Sequence, residues 1–87
     1  MKKILMFKME GCPYCAMAHR WMGELLEENP EYAAVEIQIV DELEQPAFAD
    51  KFDYYYVPTY FVGGVKVHEG VPTKEIIEEV YKKALGK

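Results

Sequence analysis

The sequence predicts a single α/β domain in which a four-stranded mixed sheet lies between two layers of helices. Three observations lead to this prediction: the chain has only 87 residues, 51% of them are hydrophobic, and its apolar patterns alternate between those of strands and those of helices. A chain of this length forms one domain, residues 1–87, and its first strand-helix-strand unit requires a right-handed crossover. The predicted order of elements is β-α-β-α-β-β-α, a three-layer sandwich.

The first strand and the first helix have the clearest patterns. Lys2–Lys8 contains the apolar run ILMF and is followed by Glu10-Gly11, so it predicts a buried strand. Pro13–Glu28 predicts a helix, because apolar residues recur on one stripe while charged residues lie opposite, and Asn29-Pro30 ends the pattern. The stripe consists of Cys15, Ala18, Met22, Leu25 and Leu26.

The middle of the chain predicts a second strand and a short helix. Residues Ala33–Val40, with the sequence AAVEIQIV, alternate between the two faces that a strand presents. Asp41 then opens a short helix, predicted over Glu44–Phe52. These two elements complete the strand-helix-strand-helix half of the domain.

The last third predicts a hairpin and a final helix. Tyr60–Val62 and Val65–Val67 are strand runs joined by Gly63-Gly64, which suit the positive φ angles of a two-residue turn. A helix begins at Pro72-Thr73, with early glutamates and late lysines that complement its dipole. Its apolar residues recur at spacings of three and four: Ile76, Ile77, Val80, Tyr81 and Ala84.

Charge and composition exclude two classes of partner. The formal net charge is -5, and the basic residues are not clustered, so we expect neither nucleic acid nor an anionic membrane as a partner. The opening MKKILMF resembles a signal peptide, but Lys8 and Glu10 interrupt it well short of the required apolar length. The sequence therefore predicts a cytoplasmic protein, and we expect a monomer.

The two cysteines, Cys12 and Cys15, lie in the stretch MEGCPYCAM and allow three interpretations. A structural disulfide is disfavoured, because so small a loop removes little entropy from the unfolded chain. A closed zinc site needs four ligands, and the pair supplies two. His19 and His68 could supply the others, but we interpret His19 as a partly exposed helical residue and His68 as a solvated residue at a strand end.

The third interpretation is a redox-active dithiol. Cys12 falls at the start of the predicted helix, where free backbone N–H groups and the helix dipole favour a thiolate, so we expect it to be the exposed nucleophile. Cys15 lies one turn later on the apolar stripe, so we expect a buried thiol that attacks a disulfide formed at Cys12. Pro13 suits the first helical turn and stiffens the loop between them.

The motif CPYC after a first strand, followed by YVPT, a hairpin and a helix, resembles the glutaredoxins and, more broadly, the thioredoxin-fold thiol-disulfide oxidoreductases. The resemblance spans nearly the whole chain and implies a thioredoxin fold. It also implies that Pro58 follows a cis peptide bond and faces the cysteines, that the Val57 backbone pairs with the extended substrate chain, and that the Tyr14 ring lies against the bound thiol partner.

The implied activity is the reduction of protein or glutathione mixed disulfides by dithiol exchange. The implied partners are disulfide-containing proteins and an electron donor, either a reductase or glutathione as co-substrate, with no tightly bound cofactor and no metal. Two alternatives stay open. One is a glutathione-assisted iron–sulfur or zinc carrier that uses Cys12 as its ligand, and the other is a redox-inert binding module that kept the fold.

The sequence departs from both groups that it resembles. Many glutaredoxins have a lysine at the position of Met9, and Lys8 is one residue off. The segment from Glu69 to Thr73 lacks the second glycine and the aspartate that bind glutathione in glutaredoxins. Thioredoxins have a tryptophan before the first cysteine, where this chain has Gly11, and a buried aspartate in the first strand, where this chain has Met6. We therefore expect weak use of glutathione.

The tyrosine run YYY, residues 54–56, just before the predicted cis-proline has two interpretations. The rings could line a substrate groove beside Pro58, or they could pack against the edge of the sheet.

Overall fold

The computed structural model describes residues 1–87 and contains a four-stranded mixed sheet of order β2-β1-β3-β4. β1 and β2 are parallel, and the β1/β3 and β3/β4 pairs are antiparallel. This arrangement confirms the predicted fold and order of elements. The bounds are β1 Ile4–Lys8, α1 Pro13–Glu28, a 3₁₀ turn Pro30–Ala34, β2 Ile37–Asp41, α2 Pro46–Ala49, β3 Thr59–Val62, β4 Val65–Glu69 and α3 Lys74–Leu85.

Two groups of buried side chains, one on each face of the sheet, make the three layers. On one face α1 and α3 pack against β1 and β3, with Met6 and Tyr60 at the centre. On the other face the short α2 covers a smaller cluster of Phe7, Val40, Ala49 and Phe61. No helix combines the length and the apolar character that crossing a bilayer requires.

The predicted strand Ala33–Val40 is wrong in its first half. Residues Pro30–Ala34 form a 3₁₀ turn, and β2 runs over Ile37–Asp41 instead. Tyr32 and Val35 are both buried in the larger cluster, and a spacing of three places side chains on one side of such a turn. Tyr32 and Val35 therefore face the core because of the turn and not because of strand alternation.

The predicted helix Glu44–Phe52 is shorter than expected. The carbonyl of Asp41 accepts the N–H groups of Glu44 and Gln45, so this stretch closes a turn before the helix. Pro46 then occupies the first helical position, and regular helix ends at Ala49. The turn keeps the carboxylate of Asp41 at the end of β2, beside Lys8.

Smaller differences concern the other strands. β1 begins at Ile4 and not at Lys2, and β4 continues beyond Val67 to Glu69. The hairpin between β3 and β4 turns at Gly63 and Gly64, whose φ angles of 57° and 86° confirm the predicted turn. The extension of β4 places Glu69 opposite Thr59, directly beside the segment that contains Pro58.

The last helix begins as its sequence predicts. Thr73 is the N-cap, and its hydroxyl accepts the N–H of Ile76 at 3.1 Å. Gly86 ends the helix with a φ of 85°, a conformation that favours glycine. The start of α3 therefore lies next to the loop that follows β4.

Candidate active site

Cys12 lies where β1 turns into α1, and the local sequence explains its placement. Gly11 has a φ of 82°, which reverses the chain after β1, and the Cys12 N–H donates to the Met9 carbonyl at 3.2 Å. Cys12 is the N-cap of α1, with Pro13 at the first helical position. The side chain of Cys12 is half-buried, so its sulfur lies at the surface beside the free N–H groups of a helix start.

Cys15 lies one helical turn later and is only 2% exposed, as predicted. Burial raises the pKa of the Cys15 thiol to about 12, and its hydrogen bond with Cys12 acts in the same direction. A backbone hydrogen bond from Met9 and the charge of Lys8 oppose the increase. Cys15 is therefore a protonated thiol at neutral pH, one helical turn from the more accessible Cys12.

Pro58 faces the dithiol, as the resemblance implies. The Val57-Pro58 peptide bond is cis, which confirms the prediction, and the Val57 carbonyl accepts a weak hydrogen bond from Cys12 Sγ at 3.9 Å. The carbonyl of Pro58 accepts the N–H of Gly70 at 3.0 Å, so the segment is fixed to the end of β4. The structure thus brings Cys12, Cys15, Val57 and Pro58 together at one end of the sheet.

An apolar groove adjoins the segments that contain Cys12 and Pro58. It is lined by Tyr14, Tyr56, Val57, Gly70 and Val71. Tyr56 is 70% exposed and Tyr14 is 45% exposed, so both are available to a ligand. Large exposed apolar side chains gathered around a concave surface are typical of a binding site.

The three consecutive tyrosines have different environments. Tyr54 stacks on Phe7 with the ring centroids 4.7 Å apart, and its hydroxyl donates to Glu42 at 2.8 Å. Tyr55 is exposed and lies on the α2 side of the loop, whereas Tyr56 lines the apolar groove. The packing interpretation therefore describes Tyr54, and the groove interpretation describes Tyr56.

A charged pair beside the dithiol was not predicted from the sequence. Parallel pairing places Lys8 next to Asp41 at the ends of β1 and β2, and Lys8 Nζ lies 3.5 Å from Asp41 Oδ2. The N–H of Leu43 and, after it, Lys8 lower the pKa of the buried Asp41 carboxyl, although burial opposes them. The sequence feature that could have predicted this pair is a lysine and an aspartate at the ends of two strands that become neighbours in a β-α-β unit.

The two histidines have separate environments. His19 is exposed on α1, as expected, and shares a small depression with Lys8, Cys12 and Cys15. Desolvation and, secondarily, the charge of Lys8 lower the His19 pKa, which favours the neutral imidazole. His68 is half-buried within β4, which corrects the prediction of a solvated strand end, because its Nε2 lies 3.1 Å from the carbonyls of Gly70 and Val71. No group of three or more His, Cys, Asp or Glu side chains is placed to bind a metal together.

The different environments of the two thiols predict selective alkylation. Iodoacetamide at pH 8 is expected to modify Cys12 in the native, reduced protein and to leave Cys15 unmodified, because Cys15 is buried and its pKa is about 12. Peptide mapping by mass spectrometry after short exposure measures this order. In urea, where Cys15 is exposed, both thiols are expected to react. Labelling of Cys15 before Cys12 in the native protein would contradict the assigned environments.

Comparison with known proteins agrees with this geometry. A family model of the thioredoxin domain matches residues 2–82. A thioredoxin of Methanocaldococcus jannaschii is 36% identical over 83 residues, which are 95% of each chain. The oxidised thioredoxin of Plasmodium falciparum has a similar structure, with a TM-score of 0.69 at 22% identity over 94% of this chain and 79% of that one. A protein disulfide oxidoreductase from Aeropyrum pernix K1 matches with a TM-score of 0.68 at 26% identity, over 99% of this chain and 38% of that one. The chain therefore belongs to the thioredoxin-fold family.

Proposed function

We propose that this thioredoxin-like protein disulfide oxidoreductase reduces protein disulfides by dithiol exchange, with Cys12 as the nucleophile and Cys15 as the resolving thiol. The observation that carries the proposal is the arrangement of the two sulfurs. Cys12 is half-buried at a helix start and lies against Val57-Pro58, while Cys15 is buried directly behind it.

In the first step the Cys12 thiolate attacks one sulfur of the substrate disulfide. The substrate S–S bond breaks, a mixed disulfide forms at Cys12, and the second substrate sulfur leaves as a thiolate that takes a proton from water. Cys12 is the N-cap of α1, so the attacking sulfur lies at the start of the helix. The cis segment at Pro58 borders the position that the substrate chain must occupy.

In the second step Cys15 gives up its proton to water and its sulfur attacks the sulfur of Cys12. The Cys12–substrate bond breaks, the substrate leaves as its second thiolate, and Cys12 and Cys15 are joined in a disulfide. Two electrons have then moved from the dithiol to the substrate. Because the pKa of Cys15 is about 12, this thiol is inert until the mixed disulfide is held against it.

The groove beside Cys12 supports an extended polypeptide as the substrate. Its walls are aromatic and aliphatic, and the exposed Tyr56 and Val71 flank the segment that contains Val57. A peptide with apolar residues next to its disulfide would bury these side chains and pair its backbone with Val57, a mode in which main-chain bonds provide affinity and side-chain contacts provide specificity.

The charges at the start of α3 disfavour glutathione as the electron donor. Glutathione is anionic, and the cation nearest the start of α3 is Lys74. Its Nζ lies 3.1 Å from Glu24 Oε1 and 2.7 Å from Glu28 Oε2, so two carboxylates of α1 already neutralise it. With a net charge of -5 the protein as a whole also repels an anion. We infer that a flavoprotein reductase of the thioredoxin-reductase type, or another protein donor, is the better source of electrons.

This inference predicts a ranking of donors. Reduction of insulin disulfides at matched protein concentration is expected to be slow with glutathione and glutathione reductase and at least about tenfold faster with a thioredoxin-reductase-type flavoprotein, a factor that corresponds to about 1.4 kcal/mol. The steady-state rate of NADPH oxidation measures the activity with each donor system. Efficient turnover with glutathione alone would reject the ranking.

A pair of double variants tests the physical reason for the ranking. E24Q/E28Q frees Lys74 from its two carboxylates and is expected to increase the glutathione-dependent rate several-fold. E31Q/E36Q removes the same amount of charge elsewhere and serves as the control. Equal effects of the two would attribute the weak activity to overall charge and not to the occupied lysine.

A further inference from the structure

The loop that precedes Pro58 is held by a single carboxylate. Glu69, at the end of β4, directs Oε2 at two consecutive backbone N–H groups, and it accepts hydrogen bonds from Tyr55 and from Tyr56, the latter at 3.0 Å. No helix or strand includes residues 54–57, so these two bonds supply order that the secondary structure does not. The carboxylate therefore accepts the backbone N–H groups of this loop, as the carbonyls of a neighbouring strand accept those of a strand in a sheet.

Lys66 fixes the carboxylate in turn. Its Nζ donates to Glu69 Oε1 at 2.7 Å and to the carbonyl of Asp53 at 3.0 Å. The side chain of Glu69 is 19% exposed, so most of its surface is covered by the loop and by Lys66. Lys66 and Glu69 thus hold both the beginning and the middle of the loop, and we refer to this pair as the β4 clamp.

The clamped segment is the one that a substrate would contact. Tyr56 lines the apolar groove, and Val57, the next residue, places its carbonyl 3.9 Å from Cys12 Sγ. The next residue after Glu69 is Gly70, whose N–H donates to the Pro58 carbonyl. A displacement at Glu69 would therefore change the position of the groove wall and of the Val57 backbone together.

We propose that the β4 clamp of Lys66 and Glu69 is a positioning device that preorganises residues 55–57 to receive the backbone of a polypeptide substrate. The proposal rests on the proposed function, because it concerns the substrate side of the same site. A preorganised loop loses less entropy when a substrate chain pairs with it, so the clamp increases affinity for polypeptides without touching the reacting sulfurs. Glu69 is a positioning residue and not a catalytic one.

The charge state of the clamp suits this role. The hydrogen bond from Lys66 and then those from the Tyr55 and Tyr56 N–H groups lower the pKa of Glu69 to about 2. The carboxylate is therefore ionised over the whole pH range in which thiol exchange occurs.

The test compares a polypeptide with a small disulfide. E69A is expected to raise KM for insulin about tenfold, which corresponds to about 1.4 kcal/mol, and to leave kcat within about twofold. Reduction of the small disulfide 5,5′-dithiobis(2-nitrobenzoate), which has no backbone to pair, is expected to be unchanged. K66M should act in the same direction with a smaller effect. E69Q keeps an acceptor oxygen and should recover much of the affinity.

Glu79 and Lys82 provide a matched control, because they form an ion pair at the same spacing of three residues on the exposed side of α3. E79A changes the net charge as E69A does, and it is expected to leave both reactions unchanged. The proposal is overturned if E69A and E79A have equal KM values for insulin, or if E69A slows the small disulfide as much as it slows insulin.

Amide hydrogen exchange tests the clamp independently of activity. The Tyr55 and Tyr56 amides are expected to exchange at least about tenfold faster in E69A than in the wild type, while amides of β1 keep their protection. Unchanged exchange at both tyrosines would overturn the proposal. If the wild-type chain reduced neither disulfide, the proposed function would fail, and the exchange measurement would still decide whether Glu69 orders the loop.

Discussion

Replacing Cys12 by serine is expected to abolish disulfide reduction, and replacing Cys15 by serine is expected to trap the substrate on the protein. In Cys12→Ser the accessible thiol at the start of α1 is lost, and Cys15 is too buried and too weakly acidic to replace it. A loss of about a thousandfold or more is the order of magnitude expected when a nucleophile is removed. The rate of insulin reduction with a flavoprotein donor measures it.

Cys15→Ser separates the two steps. Attack by Cys12 still occurs, but no second sulfur is present to break the mixed disulfide, so a covalent complex with a protein substrate accumulates. Non-reducing gels and intact mass measure the complex, and dithiothreitol should release it. A reaction that needs glutathione alone is expected to continue, because a free thiol in solution can resolve the intermediate in place of Cys15.

One result with the cysteine variants would contradict the assigned roles. If Cys15→Ser were the less active of the two towards a small disulfide, the roles of nucleophile and resolving thiol would be reversed. Since Cys15 is 2% exposed, a hydroxyl at this position disturbs packing, so Cys15→Ala is the companion that keeps the site apolar. Circular dichroism of each variant establishes that the fold is present before rates are compared.

Sequence patterns located the dithiol because its chemistry is local. Cys12 is the N-cap of α1 and Cys15 lies one turn later, so their different burial follows from the position of the helix start and from the apolar stripe that includes Cys15. The placement of Pro58 against Cys12 depends on a long-range contact, and it was predicted only through the resemblance to a family. The structure confirms both placements.

The polar contacts around the dithiol could not be predicted, because they depend on register. Lys8 meets Asp41 only if β1 and β2 pair in the observed parallel register. Glu69 reaches Tyr55 and Tyr56 only if β4 continues beyond Val67, and the register of β3 against β4 shifts between Tyr60 and Phe61. Alternation of apolar residues assigns a strand to a face of the sheet, but a one-residue shift in pairing changes every neighbour.

Replacing Phe7 by alanine is expected to cause the largest loss of stability among single substitutions in the smaller core. Phe7 is fully buried in β1, one residue before Lys8. Its ring stacks on Tyr54 at 4.7 Å, meets Phe61 edge-on at 5.9 Å, and lies 5.0 Å from Phe52. Deleting such a ring removes its burial and leaves a cavity, at a cost of about 3–5 kcal/mol.

That cost is large for a domain of this size. Small domains have a total unfolding free energy of about 5–15 kcal/mol, so the variant would retain only part of it. Because each kcal/mol lowers the midpoint of thermal unfolding by about 4–8 °C in domains of 60–100 residues, we expect a decrease of at least about 12 °C. Thermal unfolding followed by circular dichroism measures the shift. Leu43→Ala, at a side chain that is 63% exposed, is the control and should remain within about 0.5 kcal/mol of the wild type.

The same substitution tests how the core supports the site. Tyr54 stacks on Phe7 and begins the run that continues through Tyr56 to Val57, so removal of the Phe7 ring takes away the apolar support beneath the clamped loop. At a temperature where the variant is still folded, KM for insulin should therefore rise while alkylation of Cys12 keeps its wild-type rate. If the unfolding free energy of Phe7→Ala were within about 1 kcal/mol of the wild-type value, the cluster would have relaxed around the missing ring. In that case the loop would owe its order to the β4 clamp alone, and E69A in the Phe7→Ala background would raise KM no further than E69A does by itself.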